Sequence, residues 1–307
     1  MSWGARDAER RGTLVRDGSE LVWRLTPARQ PPRTGSPAPP VVLLHGLASN
    51  MTRWNEFTRE TSLKNRHDLI RIDLRGHGES MTRHRFTRST WQDDLLAILD
   101  AEGKATAWLV GHSMGASVAL ATAAVAPARV CGLVLIDPLL REAVTQTHRR
   151  IVRFGPLLAC AAALVRRLNR LGLYRRRLTP LDLEALDREA RAALQSSDPA
   201  ALAAFVRRYS SVREDLRHLP LANYLQDLVE MFRPLPSLAT INCPTLILCS
   251  TIAEFQDSTV LRQRFAEIRH VEIRPIECHH WPLTERPREV RAAIEQFIDA
   301  VQTAAPA

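Results

Sequence analysis

Residues Leu109 to Leu120 read LVGHSMGASVAL. An apolar run stops at Gly111, shows one histidine and one serine, and resumes as an alanine-rich stretch. The run before Gly111 suits a buried strand and the stretch after Ser113 suits a helix. Ser113 then stands on the bend between them. A serine at a sharp strand-to-helix turn either caps the helix or presents a nucleophile.

Similar apolar runs lie on both sides of this stretch. They are VVLLH (41–45), LIRID (69–73), AWLV (107–110), CGLVLID (131–137), TLILCS (245–250) and HVEIRPI (270–276). Between most of them lie segments with helical spacing, such as STWQDDLLAILDAEG and SMGASVALATAAVA. Near-continuous apolar strands alternating with helices predict an α/β fold, with a mostly parallel central sheet and helices on both faces. Residues 13–25 add a short β region with a turn at Asp17-Gly18. The proline-rich stretch Thr26 to Pro40 reads as a loop, and the tail from Thr303 is expected to fray.

About a hundred residues separate Asp137 from Thr245, with helical patterns clearest at 181–194 and 198–212 and no convincing strand. This predicts an inserted helical cap over one end of the sheet. The expected division is a core of residues 1–137 and 239–307 and a cap of residues 138–238.

In an open parallel sheet, ligands bind at the carboxyl ends of the strands. His45-Gly46, Asp73, Gly111 to Gly115, Asp137 and the segment Glu277-Cys278-His279-His280 all fall at such ends. Gly111-His112-Ser113-Met114-Gly115 fits the G-x-S-x-G nucleophile elbow, following a strand and opening a helix as that motif requires. Its glycines have a physical reason: larger flanking side chains would collide with the neighbouring strand and helix. A free serine hydroxyl is a poor nucleophile, so Ser113 needs a base, and the base needs an orienting carboxylate.

From about Val41 to Phe297 the chain resembles the α/β-hydrolase superfamily. LLHGLASN resembles its His-Gly loop, DLRGHGES its turn after the next strand, and HHWPLTERP its histidine loop before the last helix. The resemblance implies a serine hydrolase with a helical cap. It assigns the base to His280, because His280-Trp281-Pro282 with Glu285-Arg286-Pro287 fits the family's spacing. His279 then reads as a loop residue, facing solvent or packing beside Cys278. The resemblance gives the oxyanion donors as the backbone N–H groups of Leu47 and Met114. His45, His77 and His112 read as structural residues of the turns.

The acid departs from the family pattern. Ala253 stands where most relatives carry an aspartate. Asp137 ends the strand beside the nucleophile strand, and its side chain is expected at the same end of the sheet as Ser113. Glu254, one residue displaced and one methylene longer, is the alternative. Asp257 reads as the cap of the following helix.

The expected activity is carboxylic ester hydrolysis, as in a carboxylesterase or lipase-like enzyme, on a small apolar ester bound under the cap. The same machinery serves amide, thioester and C–C bond hydrolysis and acyl transfer, and fold alone does not separate these. The gap at Ala253 leaves open a non-catalytic, ligand-binding member. No metal or organic cofactor is implied.

The chain carries a formal net charge of +9, almost all of its cations being arginine. Residues 138–238 hold 17 arginines and 10 acidic residues, and from Ala143 to Leu181 there are nine arginines with no Asp or Glu. Two readings stand for this segment. One is a solvated basic face whose arginine stems cover apolar surface. The other is a surface that settles on an anionic membrane or attracts an anionic substrate. Nucleic acid is not expected, because aromatic residues are not interleaved with the arginines. Cys131, Cys160, Cys243, Cys249 and Cys278 show no pairing pattern and are expected as free buried thiols in the cytoplasm. The N-terminal stretch has no apolar h-region, so no secretory signal is expected there, and no run is long and apolar enough to span a membrane.

Overall fold

The computed structural model describes residues 9–30, 37–146, 149–174, 177–195, 198–252 and 255–304. Among these residues, eight strands form one sheet: β1 (Arg10–Arg16), β2 (Ser19–Thr26), β3 (Val41–Leu44), β4 (Leu69–Asp73), β5 (Ala107–His112), β6 (Val130–Ile136), β7 (Thr245–Ser250) and β8 (Val271–Ile276). Their order across the sheet is β1-β2-β4-β3-β5-β6-β7-β8. The first two strands run antiparallel to each other and to β4, and the remaining pairs are parallel. Asp17 and Gly18 join β1 to β2 with φ of 49° and 68°, both left-handed, which matches the twist of a tight hairpin.

The apolar runs are continuous because both faces of the sheet are covered. Val42, Leu44, Ile70, Leu109, Leu133 and Ile247 pack into one core layer. Val41, Leu43, Leu69, Val110, Val134 and Leu248 pack into the other. The described residues form twelve helices: α1 (Asn55–Glu60), α2 (Arg88–Ala101), α3 (Met114–Val125), α4 (Arg149–Arg153), α5 (Gly155–Arg170), α6 (Leu183–Leu194), α7 (Pro199–Tyr209), α8 (Val212–His218), α9 (Leu221–Met231), α10 (Ser258–Phe265), α11 (Pro282–Glu285) and α12 (Pro287–Ala304). Helices α2, α3 and α10 bury Trp91, Val118 and Phe265 on the first face. Helices α1 and α12 bury Phe57, Ile294 and Phe297 on the second. Among the described residues, no helix is long and apolar enough to cross a membrane.

Helices α4 to α9 follow β6 and precede β7, and α9 seats them on the sheet through buried polar contacts. Asn223 Nδ2 donates to Gly76 O (3.0 Å) and Thr82 O (2.7 Å). The Arg88 N–H donates to Glu230 (3.0 Å), whose carboxylate is fully buried. His77 Nε2 lies 3.1 Å from Asp227 Oδ2, both side chains being fully enclosed. His77 is therefore more than a turn residue: it ties the loop after β4 to α9. The thiols depart from expectation. Cys249 and Cys278 are buried, Cys131 and Cys243 are half-buried, and Cys160 is exposed on α5.

Candidate active site

Strand β5 ends in the bend that the motif demands. Ser113 holds φ 53° and ψ −114°, an unfavourable backbone for a residue with a side chain. The neighbours leave no room around it. A Cβ on Gly111 would sit 2.4 Å from Gly115 O, and one on Gly115 would sit 2.4 Å from Leu44 O. The Ser113 N–H still completes the sheet ladder by donating to Ile136 O (2.9 Å), so the strain is held by the strand next door.

His280 leaves β8 on the loop before α11 and points back to the bend. Its Nε2 lies 2.9 Å from Ser113 Oγ. Its Nδ1 is hydrogen-bonded to Asp137 Oδ2. Asp137 follows β6 and is itself left-handed, with φ 45°. Its other oxygen accepts from the Ser250 N–H at 3.0 Å. Burial works against charge on Asp137, but the adjacent His280 ring and the Ser250 N–H outweigh it and hold the carboxyl below its ordinary value. The expected residues Ser113, His280 and Asp137 thus form one hydrogen-bonded chain.

Two further histidines brace this chain. His112 Nε2 donates to His280 O at 3.0 Å, and the two rings lie 5.4 Å apart. Burial, then the neighbouring His280, push the His112 imidazole down to about 3, so it stays neutral. His45 Nε2 accepts from the Leu74 N–H (3.0 Å), which leaves the proton on Nδ1, facing Gly46 O at 2.8 Å. This ring fixes the start of the loop carrying Leu47, and Ala48 beyond it turns left-handed at φ 48°. Leu47 and Ser113 line the same cavity. Met114 is the first residue of α3, where backbone N–H groups have no carbonyl one turn earlier.

The other candidates fall elsewhere. Ala253 and Glu254 lie outside the described residues. Asp257 caps α10, accepting from the Thr259 N–H (2.8 Å) and the Val260 N–H (3.2 Å). His279 does not face solvent: it is 8% exposed, with Nδ1 2.9 Å from Glu285 Oε2. That contact, and the Ser250 hydroxyl donating to His279 O (2.7 Å), shape the loop that presents His280.

Helices α4, α7, α8 and α9 each contribute residues to the lining of a cavity at Ser113. A cavity of about 290 Å³ runs from Ser113 and His280 between Leu139, Val144 and Ile151 on one side and Leu228, Met231 and Phe232 on another. Phe255 packs edge-on against the His280 ring at 5.1 Å. Beside it, Asp187 of α6 accepts from Arg53 Nη1 (2.6 Å), Tyr209 Oη (2.7 Å) and Thr284 Oγ1 (3.0 Å). This buried knot joins the cap to α11 and to the loop after β3. Sequence reading missed it, because Arg53 and Asp187 lie 134 residues apart and no local pattern links them.

The fold is shared with solved hydrolase structures. A thermophilic esterase from Thermogutta terrifontis superposes with a TM-score of 0.67 at 22% identity, covering 96% of this chain and 99% of that one. A bacterial membrane phospholipase A superposes with the same score and identity, covering 98% of this chain and 89% of that one. In sequence, the chain is 36% identical over 98 residues to Esterase YbfF of Escherichia coli (strain K12), covering 32% of this chain and 38% of that protein. It is 33% identical over 114 residues to sn-1-specific diacylglycerol lipase ABHD11 of Danio rerio, covering 36% of each. The matched stretch thus spans little more than a third of these relatives' lengths. Residues 41–293, most of the chain, match the model of the alpha/beta hydrolase family, and the chain belongs to that family.

Proposed function

We propose that this chain is a serine hydrolase that cleaves carboxylic esters through an acyl-enzyme on Ser113. The observation that carries this reading is the hydrogen-bonded chain from Ser113 Oγ through His280 to Asp137. In this mechanism His280 Nε2 takes the Ser113 proton as Oγ attacks the ester carbonyl. Asp137 holds the imidazole with its proton on Nδ1 and stabilises the imidazolium that forms. The Leu47 and Met114 N–H groups receive the developing oxyanion. His280 then passes the proton to the leaving alcohol, and water, activated by the same ring, releases the acid. Residues 138–238 act as the cap over a core of 1–137 and 239–307. The apolar walls of the 290 Å³ cavity support an aliphatic arm on the substrate. The relatives named as an esterase and a lipase support the same reaction class.

A non-catalytic reading was motivated by the missing acid at Ala253. The Asp137–His280 hydrogen bond supports the catalytic reading in its place. A fluorophosphonate probe tests the choice. Rapid labelling that Ser113→Ala abolishes, together with hydrolysis of p-nitrophenyl esters showing an optimum in chain length, is the expected result. A folded protein that neither labels nor cleaves any ester of the series would overturn it.

In our reading the enzyme also makes peripheral contact with anionic membrane through the arginine-rich α4–α5 segment. Leu157, Cys160, Leu164, Leu168 and Leu171 recur at helical spacing on one exposed face, with Arg153, Arg167 and Arg170 around them. The five unpaired cysteines support a reducing compartment, the cytoplasm.

A further inference from the structure

The cavity at Ser113 does not end in apolar wall. At Leu47, Tyr209, Asp215 and Trp281 it meets a second cavity of about 330 Å³, and these four residues line both. The second space is lined with charged residues, most of which are already paired. Glu189 takes Arg208 at 3.3 Å, and Glu214 takes Arg217 at 3.0 Å. Arg53 is held by Asp187. Asp215, at the junction, is the exception: among the described residues its carboxylate meets no hydrogen-bond or ion-pair partner. Burial, then the neighbouring Glu214, push this carboxyl up to about 7.

A second unmet group stands on the Ser113 side of this junction. Tyr224 of α9 lines the Ser113 cavity, is 8% exposed, and its hydroxyl meets no partner among the described residues. It lies close enough to Asp215 that this charge adds to burial in pushing the phenol up to about 12. Ionised, as it is above about pH 7, the Asp215 carboxyl accepts only, and a phenol oxygen both accepts and donates. Asp215 is half-buried and both groups face a cavity, so a ligand that brings a donor there finds an acceptor no protein group has claimed, in partly desolvated surroundings that strengthen the bond.

We propose that the ester this enzyme cleaves has one aliphatic arm and one short arm ending in a hydrogen-bond donor, a hydroxyl or a protonated amine, which Asp215 and Tyr224 receive. The aliphatic arm lies along Leu228, Met231 and Phe232, and the donor arm reaches the junction of the two cavities. This rests on the Ser113 hydrolase reading above.

The test compares esters of matched shape. On the alcohol side, 2-hydroxyethyl hexanoate is paired with propyl hexanoate and 2-(dimethylamino)ethyl hexanoate with 3-methylbutyl hexanoate. On the acid side, hexyl 3-hydroxypropanoate is paired with hexyl butanoate and hexyl 3-(dimethylamino)propanoate with hexyl 4-methylpentanoate. We expect kcat/KM for a donor ester to exceed that for its plain partner about ten-fold in one series, the scale of one charge-assisted hydrogen bond. Asp215→Leu should bring that ratio to about one, and Tyr224→Phe should lower it part of the way. Asp215→Asn, which keeps shape and an acceptor, separates the two donors: it retains a hydroxyl preference and loses an ammonium preference. A wild-type ratio at or below one in both series, or a ratio that folded Asp215→Leu and Asp215→Asn leave unchanged, overturns the inference. If Ser113 labels with fluorophosphonate and the plain esters are cleaved without preference, this inference alone falls. If Ser113 neither labels nor cleaves, the hydrolase reading falls and takes this one with it.

Discussion

Ser113 and Asp137 both hold left-handed φ, at 53° and 45°, on neighbouring strands of one sheet. Non-glycine residues in such backbones cost on the order of 1–3 kcal/mol each, and they persist where the surroundings over-determine them. Here the ladder bonds Ser113 N–H to Ile136 O (2.9 Å) and Asp137 N–H to Leu248 O (2.7 Å) continue the strands through the strained residues. The backbone is bent so that both side chains meet one imidazole. Asp137→Asn should therefore keep the fold, since asparagine tolerates left-handed φ, and lose activity. An amide favours the wrong tautomer of His280, and the loss is on the order of 10⁴ in kcat by analogy with serine proteases. Glu254→Gln should keep near-full activity. The opposite pattern in the two variants' kcat values would reassign the acid. His112 carries a second prediction at this scale. Its imidazole is pushed from an ordinary value of 6.5 to about 3, so between these values the unfolded chain binds a proton that the folded one does not. Its contribution to stability is then lost as pH falls below about 6.5, at about 1.4 kcal/mol per pH unit. His112→Gln keeps a donor for His280 O and removes the titration. Urea unfolding at pH 7, 6 and 5 should show the stability difference between wild type and variant shrinking at that slope. A flat difference would rule it out. These site residues were legible because each stands at the carboxyl end of an apolar run. Asp215 and Tyr224 were not, because they come from cap helices whose placement over the sheet leaves no periodic trace.

At the scale of elements, the strands were legible from their apolar runs to within a few residues, because burial on both faces demands continuous hydrophobicity. The cap helices were visible from their spacing, yet their attachment was not. It is polar and long-range: Asn223, Asp227 and Glu230 on α9, and Asp187 on α6, all meet partners of the core. Buried polar contacts of this kind fix one seating, where an apolar face alone would tolerate several. Asp187 shows the energetic consequence. Its side chain and that of Arg53 are 6% and 5% exposed, and Arg53 also donates to Thr284 (2.8 Å), the residue before Glu285 closes α11 and beside the His280 loop. Asp187→Asn leaves the Arg53 guanidinium buried without a counter-charge, a change worth about 3–5 kcal/mol in comparable pairs. Replacing both residues by apolar ones of similar volume, Arg53→Met with Asp187→Leu, should recover most of that loss. Denaturant unfolding of the single and double variants measures it. A double variant as unstable as the single would mean that hydrogen bonds to Tyr209 and Thr284, rather than the charge pair, hold the cap.

Over the whole molecule, charge and exposed apolar surface fall on the same side. Residues 138–238 account for most of the +9, with 17 arginines against 10 acids. The most exposed leucines gather on α5 and the turn after it, where Leu157 is 64%, Leu164 59%, Leu171 75% and Leu173 65% exposed. Sequence left open both a solvated basic face, the reading it favoured, and a lipid-settling face. The structure adds that the leucine row is exposed among the described residues, and that Ile151, between Arg150 and Arg153, lines the Ser113 cavity. One short segment thus touches both the surface and the site. Arginines near an anionic membrane contribute about 1 kcal/mol each, and this attraction is screened over about 8–10 Å at physiological salt. The protein should therefore co-sediment with vesicles containing phosphatidylserine at low ionic strength and release as salt rises. Arg153→Gln, Arg167→Gln and Arg170→Gln together should lower partitioning at every salt concentration. Leu157→Ser with Leu164→Ser should speed release, because the apolar row supplies the part of the binding that salt does not screen. The same vesicles should raise the rate on a long-chain ester dissolved in them and leave the rate on a water-soluble short-chain ester unchanged. Equal partitioning to neutral and anionic vesicles, with no effect of the arginine substitutions, would leave the segment as a solvated basic face.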